Sequence, residues 1–188
     1  MLILAMPKTA STSLINTIRD AQSQYAICRL EHDKIKIPEF SQMAKFHSNI
    51  RLRDRETIER FVIDKVMIYR DHLVPVKEHL KELEKYKEPI IILLRNPEHV
   101  LDCYKRDVHF LTKRPDLKKL LKELIEFKEA YEKWAIGKKN VTIIYYKELV
   151  LHPNKTLVKI LNLFGIKEYK IPEFRKDMFT GVGIKRLK

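Results

Sequence analysis

Apolar residues fall into short solid runs in some places and recur every three to four residues in others. Leu2-Ile3-Leu4-Ala5 is a solid run ended by Pro7 and reads as a buried strand. Ser11-Thr12-Ser13 then supplies N-cap candidates, and Leu14, Ile15 and Ile18 keep helical spacing as far as Gln22. The pattern predicts a second strand at Tyr25–Leu30, a helix at Glu56–Ile63, a strand at Lys65–Tyr69 and a charged amphipathic helix at Val76–Tyr86. Residues 31–53 mix both patterns and predict no element. Pro89–Leu94 is the strongest strand, apolar on both faces as in a covered parallel sheet. It runs into Arg95-Asn96-Pro97-Glu98, where Asn caps, Pro takes the first helical position and Glu faces the positive end of the helix dipole. Leu117, Leu120, Leu121, Leu124, Tyr131 and Trp134 then mark a helix that stops at Gly137. Val141–Tyr145 reads as a strand and Pro153–Phe164 as a helix stopped by Gly165. Strands alternating with helices predict a three-layer α/β/α fold around a mainly parallel central sheet.

Size and charge narrow the class. The 188 residues suit one domain, 1–188, large enough to bury about 70% of its unfolded-chain surface without a metal or disulfide. Cys28 and Cys103 are too few for a disulfide framework and belong to no ligand cluster, which points to a reducing, cytoplasmic setting and no structural zinc. The run Met1–Met6 breaks at Pro7-Lys8, unlike a signal peptide, and no apolar stretch is long enough for a membrane span. The formal net charge of +13 predicts an anionic partner. Opposite charges alternate along helical stretches such as Lys118–Glu123, the mark of a solvated face, so neither nucleic acid nor a membrane is the expected partner.

Glycine placement excludes more. The four glycines are Gly137, Gly165, Gly181 and Gly183, so the first 136 residues hold none. A Walker A loop, a dinucleotide GxGxxG turn and a kinase glycine-rich loop each need glycine where backbone crowds phosphate.

In open α/β sheets ligands bind beyond the carboxyl ends of the strands, so the residues after each apolar run are the candidates. After the first run comes Pro7-Lys8-Thr9-Ala10-Ser11-Thr12-Ser13, a lysine and a series of small or hydroxyl residues opening a helix. Backbone N–H groups, hydroxyls and an ammonium together suit a tetrahedral anion. After the third strand comes Arg70-Asp71-His72-Leu73-Val74-Pro75, whose histidine can serve as a general base near neutrality. After the fourth comes Arg95, suited to a bidentate phosphate contact, eight residues before Cys103. His47, in Lys45-Phe46-His47, is the rival base. His32, His79, His99, His109 and His152 read as surface or capping residues, and Tyr131 and Trp134 as core.

Taken together, these segments resemble the sulfotransferases that use 3′-phosphoadenosine 5′-phosphosulfate (PAPS). Pro7-Lys8-Thr9-Ala10-Ser11-Thr12 is similar to that family's P-K-[ST]-G-[TS]-T loop, which holds the 5′-phosphosulfate, with Ala10 in the glycine place. Arg70–Pro75 looks like the K-T-H-L-P-P stretch that carries the family's catalytic histidine. Arg95-Asn96-Pro97 fits the family's R-[DN]-P, whose arginine holds the 3′-phosphate with a serine eight residues on, and Cys103 stands in that serine's place. Tyr145–Leu149, Pro153, Leu157 and Phe164–Ile166 are similar to the segment Y-E-D-L…P…L…F-[LF]-G-[IL]. Arg175-Lys176 and Gly181–Arg186 follow the closing R-K-G and G-x-W-K elements in outline.

The resemblance implies a P-loop NTPase-like sulfotransferase architecture and transfer of a sulfuryl group from PAPS to an acceptor hydroxyl or amine on a small molecule or glycan. It implies His72 as base and Lys8 at the leaving oxygen, with Thr9, Ala10, Ser11, Thr12 and Ser13 around the phosphosulfate. Arg95, Cys103, Lys185 and Arg186 would lie around the rest of the nucleotide, and no metal is required. Ala10 lacks glycine's freedom, so the loop is expected to run with ordinary backbone angles. Ser13 stands where many cytosolic members stack an aromatic ring on adenine, which leaves that contact unassigned. The alternatives are a nucleotide phosphotransferase (kinase) and a non-enzymatic, basic nucleic-acid-binding protein. The acceptor and the oligomeric state stay open at this point.

Overall fold

The computed structural model describes residues 2–21, 27–29, 33–34, 51–52, 68–106 and 116–165. In chain order these form β1 (Leu2–Ala5), α1 (Ser11–Ala21), β2 (Ile27–Arg29), β3 (Asp33–Lys34), β4 (Arg51–Leu52), β5 (Ile68–Asp71) and α2 (Lys77–Glu84). There follow β6 (Ile90–Leu94), α3 (Pro97–Lys105), α4 (Leu117–Ala135), β7 (Val141–Tyr145), α5 (Tyr146–Leu151) and α6 (Pro153–Leu163). Five strands make one sheet in the order β2-β5-β1-β6-β7, with every neighbouring pair parallel. β3 and β4 pair antiparallel as a separate ribbon.

The period of two along each strand divides the core into two layers. Leu2, Leu4 and Met6 with Ile90, Ile92 and Leu94 pack on one face, against Leu83 of α2, Val100, Leu101 and Tyr104 of α3, and Leu120, Leu124, Phe127 and Tyr131 of α4. Ile3, Ala5, Ile91 and Leu93 pack on the other, against Leu14, Ile15 and Ile18 of α1, Leu149 of α5, and Leu157, Ile160 and Leu161 of α6. Both faces of β1 and β6 are therefore buried, as their unbroken apolar runs require. Each such Leu or Ile contributes about 1.5–3 kcal/mol relative to exposure, so the centre of the sheet is a rigid base for whatever its carboxyl edge carries.

Register decides what that edge carries. Leu4 pairs with Asp71, Ala5 with Leu93, and Leu94 with Tyr145. Running each pairing one or two residues further brings His72 beside Ala5, Arg95 beside Pro7, and Tyr146 beside Arg95. The helix starts are cleanly punctuated. Asn96 Oδ1 accepts from Glu98 N at 2.8 Å and His99 N at 3.2 Å, with Pro97 opening α3. Asp116 Oδ1 accepts from Lys119 N at 3.0 Å at the start of α4.

Three differences from the sequence reading have physical causes. Of the strand expected at Lys65–Tyr69, residues 65–67 lie outside the described residues, and β5 continues past Tyr69 to Asp71 because parallel pairing with β1 recruits Arg70 and Asp71 into the ladder. α5 was not predicted, since Tyr146–Leu151 is too short to show a period; Glu148 Oε1 accepting from Tyr145 N at 3.3 Å secures its first turn. His79, expected at the surface, is only 2% exposed and its Nδ1 pairs with Val74 O, which pins the loop after β5 onto α2. Tyr131 is fully buried and its hydroxyl donates to Leu73 O at 2.8 Å, while Trp134 lies edge-on to it. The helix expected at 56–63 lies outside the described residues.

Candidate functional site

The chain leaves β1 through Met6, whose N–H donates to Leu93 O at 2.9 Å, and enters α1 through a turn closed onto the helix by Leu14 N donating to Ala10 O at 3.0 Å. Lys8 and Ala10 both sit in the left-handed region, at φ 60° and 59°. The expectation of ordinary backbone angles is therefore wrong: Ala10 adopts the conformation a glycine would take, and Lys8 does likewise two residues earlier. Each costs about 1–2 kcal/mol and persists only where the surroundings over-determine it. Here Thr9 Oγ1 donates to Met6 O at 2.7 Å and locks the turn from inside. The fold supports the cost, since one buried core residue offsets each left-handed one.

The turn aims the start of α1 at the space beyond the sheet. An α-helix leaves its first N–H groups without intrahelical partners and carries a partial positive charge there. The first turn of α1 contains no acidic residue to neutralise that end, whereas α3 carries Glu98 in its first turn. The hydroxyls around the turn are not equivalent. Thr12 and Lys8 are partly exposed, while Thr9 is 1%, Ser11 5% and Ser13 0% exposed. Thr9 spends its hydroxyl on the turn, and Ser13 Oγ is buried without a hydrogen-bond partner among the described residues.

Two further residues converge on this turn. His72 Nδ1 lies 2.7 Å from Ala5 O. A carbonyl oxygen only accepts, so Nδ1 carries the proton of that bond and, in the neutral ring, Nε2 holds the lone pair. Arg95 Nη1 donates to Lys8 O at 2.7 Å, and the guanidinium lies 3.9 Å from the centre of the Tyr146 ring. Arg95 Nε is buried with no acceptor among the described residues. Lys8 Nζ stands 5.3 Å from the centre of the Tyr104 ring on α3. Cys103, one residue before Tyr104, is a partly exposed free thiol within 3.6 Å of Arg106 Nη2. Burial pushes the Tyr146 phenol above its ordinary value, Arg95 draws it back, and Cys103 adds to the rise.

The structure thus brings Lys8, the start of α1, His72 and Arg95 to one edge of the sheet, with Cys103 further along α3, where it adds to the rise of the Tyr146 phenol. Tyr104 and Tyr146, which the sequence reading left without a role, supply aromatic faces under the two cations. For Tyr146 the signal was present only as register, since it directly follows the residue that pairs with Leu94. His47, Lys185 and Arg186 lie outside the described residues, as do His32, His109 and 175–176. Among the described residues, no group of three or more His, Cys, Asp or Glu could hold a metal ion. Nor, among them, is any helix long and apolar enough to cross a membrane.

The donor set fits a ligand with anionic groups at two points. One would meet the left-handed turn and helix start near Lys8, the other the Arg95 fork, whose buried Nε has no acceptor among the described residues.

No protein-family model matches the chain, and no curated protein does so either. Among solved structures the chain is similar to the sulfotransferase from Alicyclobacillus acidocaldarius, with a TM-score of 0.62 and 12% identity over 94% of this chain and 85% of that one. It is also similar to mouse sulfotransferase SULT7A1 complexed with PAP, with a TM-score of 0.58 and 20% identity; the match covers 88% of this chain and 58% of the mouse one. The sulfotransferase domain of the Synechococcus PCC 7002 olefin synthase matches with a TM-score of 0.60 and 17% identity, covering 88% and 72%. The chain therefore has the sulfotransferase fold.

Proposed function

We propose that this chain is a PAPS-dependent sulfotransferase acting in a reducing, cytoplasmic setting as a single domain, 1–188. The observation that carries the reading is the convergence, at the carboxyl edge of β1, β5 and β6, of a left-handed lysine turn, a histidine with a defined tautomer and an arginine fork. The mouse neighbour complexed with PAP adds support for an adenosine bisphosphate as the nucleotide.

In this reading Lys8 neutralises charge that builds on the leaving oxygen during transfer. The N–H groups at the start of α1, with the Ser11 and Thr12 hydroxyls, hold the sulfuryl and phosphoryl oxygens in place. Thr9, Ala10 and Ser13 shape that turn through backbone and packing. His72, with Nδ1–H fixed on Ala5 O, presents Nε2 as the base that takes the acceptor's proton. Arg95 meets the 3′-phosphate with the part of its fork not used on Lys8 O, and the Cys103 thiol stands beside it as a weak donor. Lys185 and Arg186 would close over the nucleotide. PAPS supplies the sulfuryl group, and the acceptor is a hydroxyl or amine on a small molecule or glycan.

The test is turnover of labelled PAPS across a panel of small-molecule and glycan acceptors, with Lys8→Ala as control. Label transferred by the wild type and lost in Lys8→Ala supports the assignment. Label transferred equally well by Lys8→Ala overturns it.

A further inference from the structure

Arg95 does two things at once. One nitrogen of its fork donates to Lys8 O at 2.7 Å, while its flat face lies on Tyr146 and its Nε is buried without an acceptor among the described residues. Lys8 is left-handed and Ala10 is left-handed, so the direction of the Lys8 ammonium depends on a backbone conformation that alanine and lysine do not favour by themselves. Thr9 Oγ1 ties the turn to Met6 O, Met6 N ties it to Leu93 O and Leu14 N ties it to Ala10 O. Among these bonds, that from Arg95 is the one that reaches the carbonyl of Lys8 itself. Tyr146 in turn fixes the plane of the guanidinium, because a cation resting on a ring resists tilting.

From this geometry we infer that Arg95 is a positioning residue for Lys8: its bond to the Lys8 carbonyl holds the left-handed turn, and so couples the 3′-phosphate end of the site to the sulfuryl end. The inference rests on the sulfotransferase reading for its catalytic consequence but not for its structural one. A nucleotide whose 3′-phosphate engages Arg95 stiffens the same guanidinium that aims the lysine.

The experiment has two arms on the full chain. In the first, amide hydrogen exchange is measured on ligand-free wild type, Arg95→Ala and Arg95→Lys. Loss of one charge-assisted hydrogen bond should speed exchange across residues 8–14 by about tenfold in Arg95→Ala while amides of α4 keep their wild-type rates. Arg95→Lys retains a donor for the carbonyl, so it should restore most of that protection even if the alanine variant proves too unstable to read. In the second arm, kcat and KM for PAPS are measured on the same proteins. Arg95→Ala should lower kcat about tenfold or more as well as raise KM, because a small misplacement of a catalytic group is costly. Arg95→Lys should recover kcat while KM stays raised, since a single ammonium cannot both hold the carbonyl and grip the phosphate as a fork. In a Lys8→Ala background, removing Arg95 should change kcat less than about threefold, the non-additivity expected when one residue acts through another.

Unchanged exchange at residues 8–14 in both variants overturns the inference, as does a rise in KM with kcat untouched. A wild type that shows the exchange pattern but uses no PAPS leaves the positioning role standing and defeats the sulfotransferase reading alone.

Discussion

Two strand-to-helix junctions lie side by side at the carboxyl edge of the sheet, and they are built on opposite principles. At β6–α3 every local preference agrees with the structure: Asn96 caps, Pro97 opens the helix and Glu98 faces its positive end. At β1–α1 local preference is overridden twice, by the left-handed Lys8 and Ala10, and the first turn of the helix carries no acidic residue. The first junction is complete without a ligand. The second concentrates strain, positive charge and oriented N–H groups at one point, which is where a protein departs from local consistency for the sake of a site. Arg95 belongs to the first junction by sequence and to the second by contact, through its bond to Lys8 O.

If that contrast is right, changes around the β1–α1 junction should harm turnover more than stability, and changes at β6–α3 the reverse. The largest effect is expected from His72→Ala, which removes the proposed base, held on Ala5 O, and should cost about 10²–10⁴ in kcat with nucleotide affinity little changed. Binding isotherms for adenosine 3′,5′-bisphosphate alongside rate assays check both halves. Lys8→Ala should follow, with a loss of about 10²–10³ in kcat and an unfolding midpoint close to wild type, read by urea denaturation. Asn96→Ala should do the opposite, costing about 1 kcal/mol of stability through the lost cap while kcat moves less than about threefold. Ala10→Gly should stabilise by up to about 1 kcal/mol because glycine accepts φ 59° without strain; a loss of stability would mean that the turn is not left-handed.

The smallest effect lies away from both junctions. Tyr145 donates to Glu132 at 2.6 Å, and that bond, followed by burial, raises the phenol to about 12. The folded state thus keeps the Tyr145 proton longer than the unfolded chain does. The stabilisation is complete below the ordinary value near 10, and is lost as pH rises through about 12. Because Tyr145 is well exposed, screening holds the contribution under about 1 kcal/mol. Urea midpoints across pH 9–12 should fall more steeply for wild type than for Tyr145→Phe.

Much of the fold could be read from the sequence because its strongest elements are governed by short-range rules. β6 and β7 show as apolar runs, α3 by its Asn-Pro start, and α4 and α6 by period and by the glycines that follow them, Gly137 at φ 75° and Gly165 at φ 70°. β5 runs two residues past the expected end at Tyr69 because Arg70 and Asp71 are strand residues only through their pairing with β1. At the site, the sequence singled out His72 and Arg95 because each directly follows a strand, and Lys8 because it stands three residues beyond β1 and opens the turn into α1. What the sequence hid was conformational and non-local. Alanine at a glycine place suggested an ordinary turn, yet the packing of β1 between β5 and β6 and the Thr9–Met6 bond hold it left-handed. The stacking of Tyr146 on Arg95 comes from β6–β7 register, which no local pattern reveals.

The most direct test of the central claim is a thermal-shift titration of the wild type with adenosine 3′,5′-bisphosphate, ATP and short duplex DNA at fixed ionic strength. Ligand bound only by the native state stabilises by RT ln(1 + [L]/Kd), about 2.7 kcal/mol at a hundredfold excess over Kd. The account predicts saturable stabilisation of that order by the bisphosphate, little by ATP or DNA, and its loss in Arg95→Ala. Equal stabilisation by DNA, fading as salt is raised, or a response to ATP alone, would contradict it.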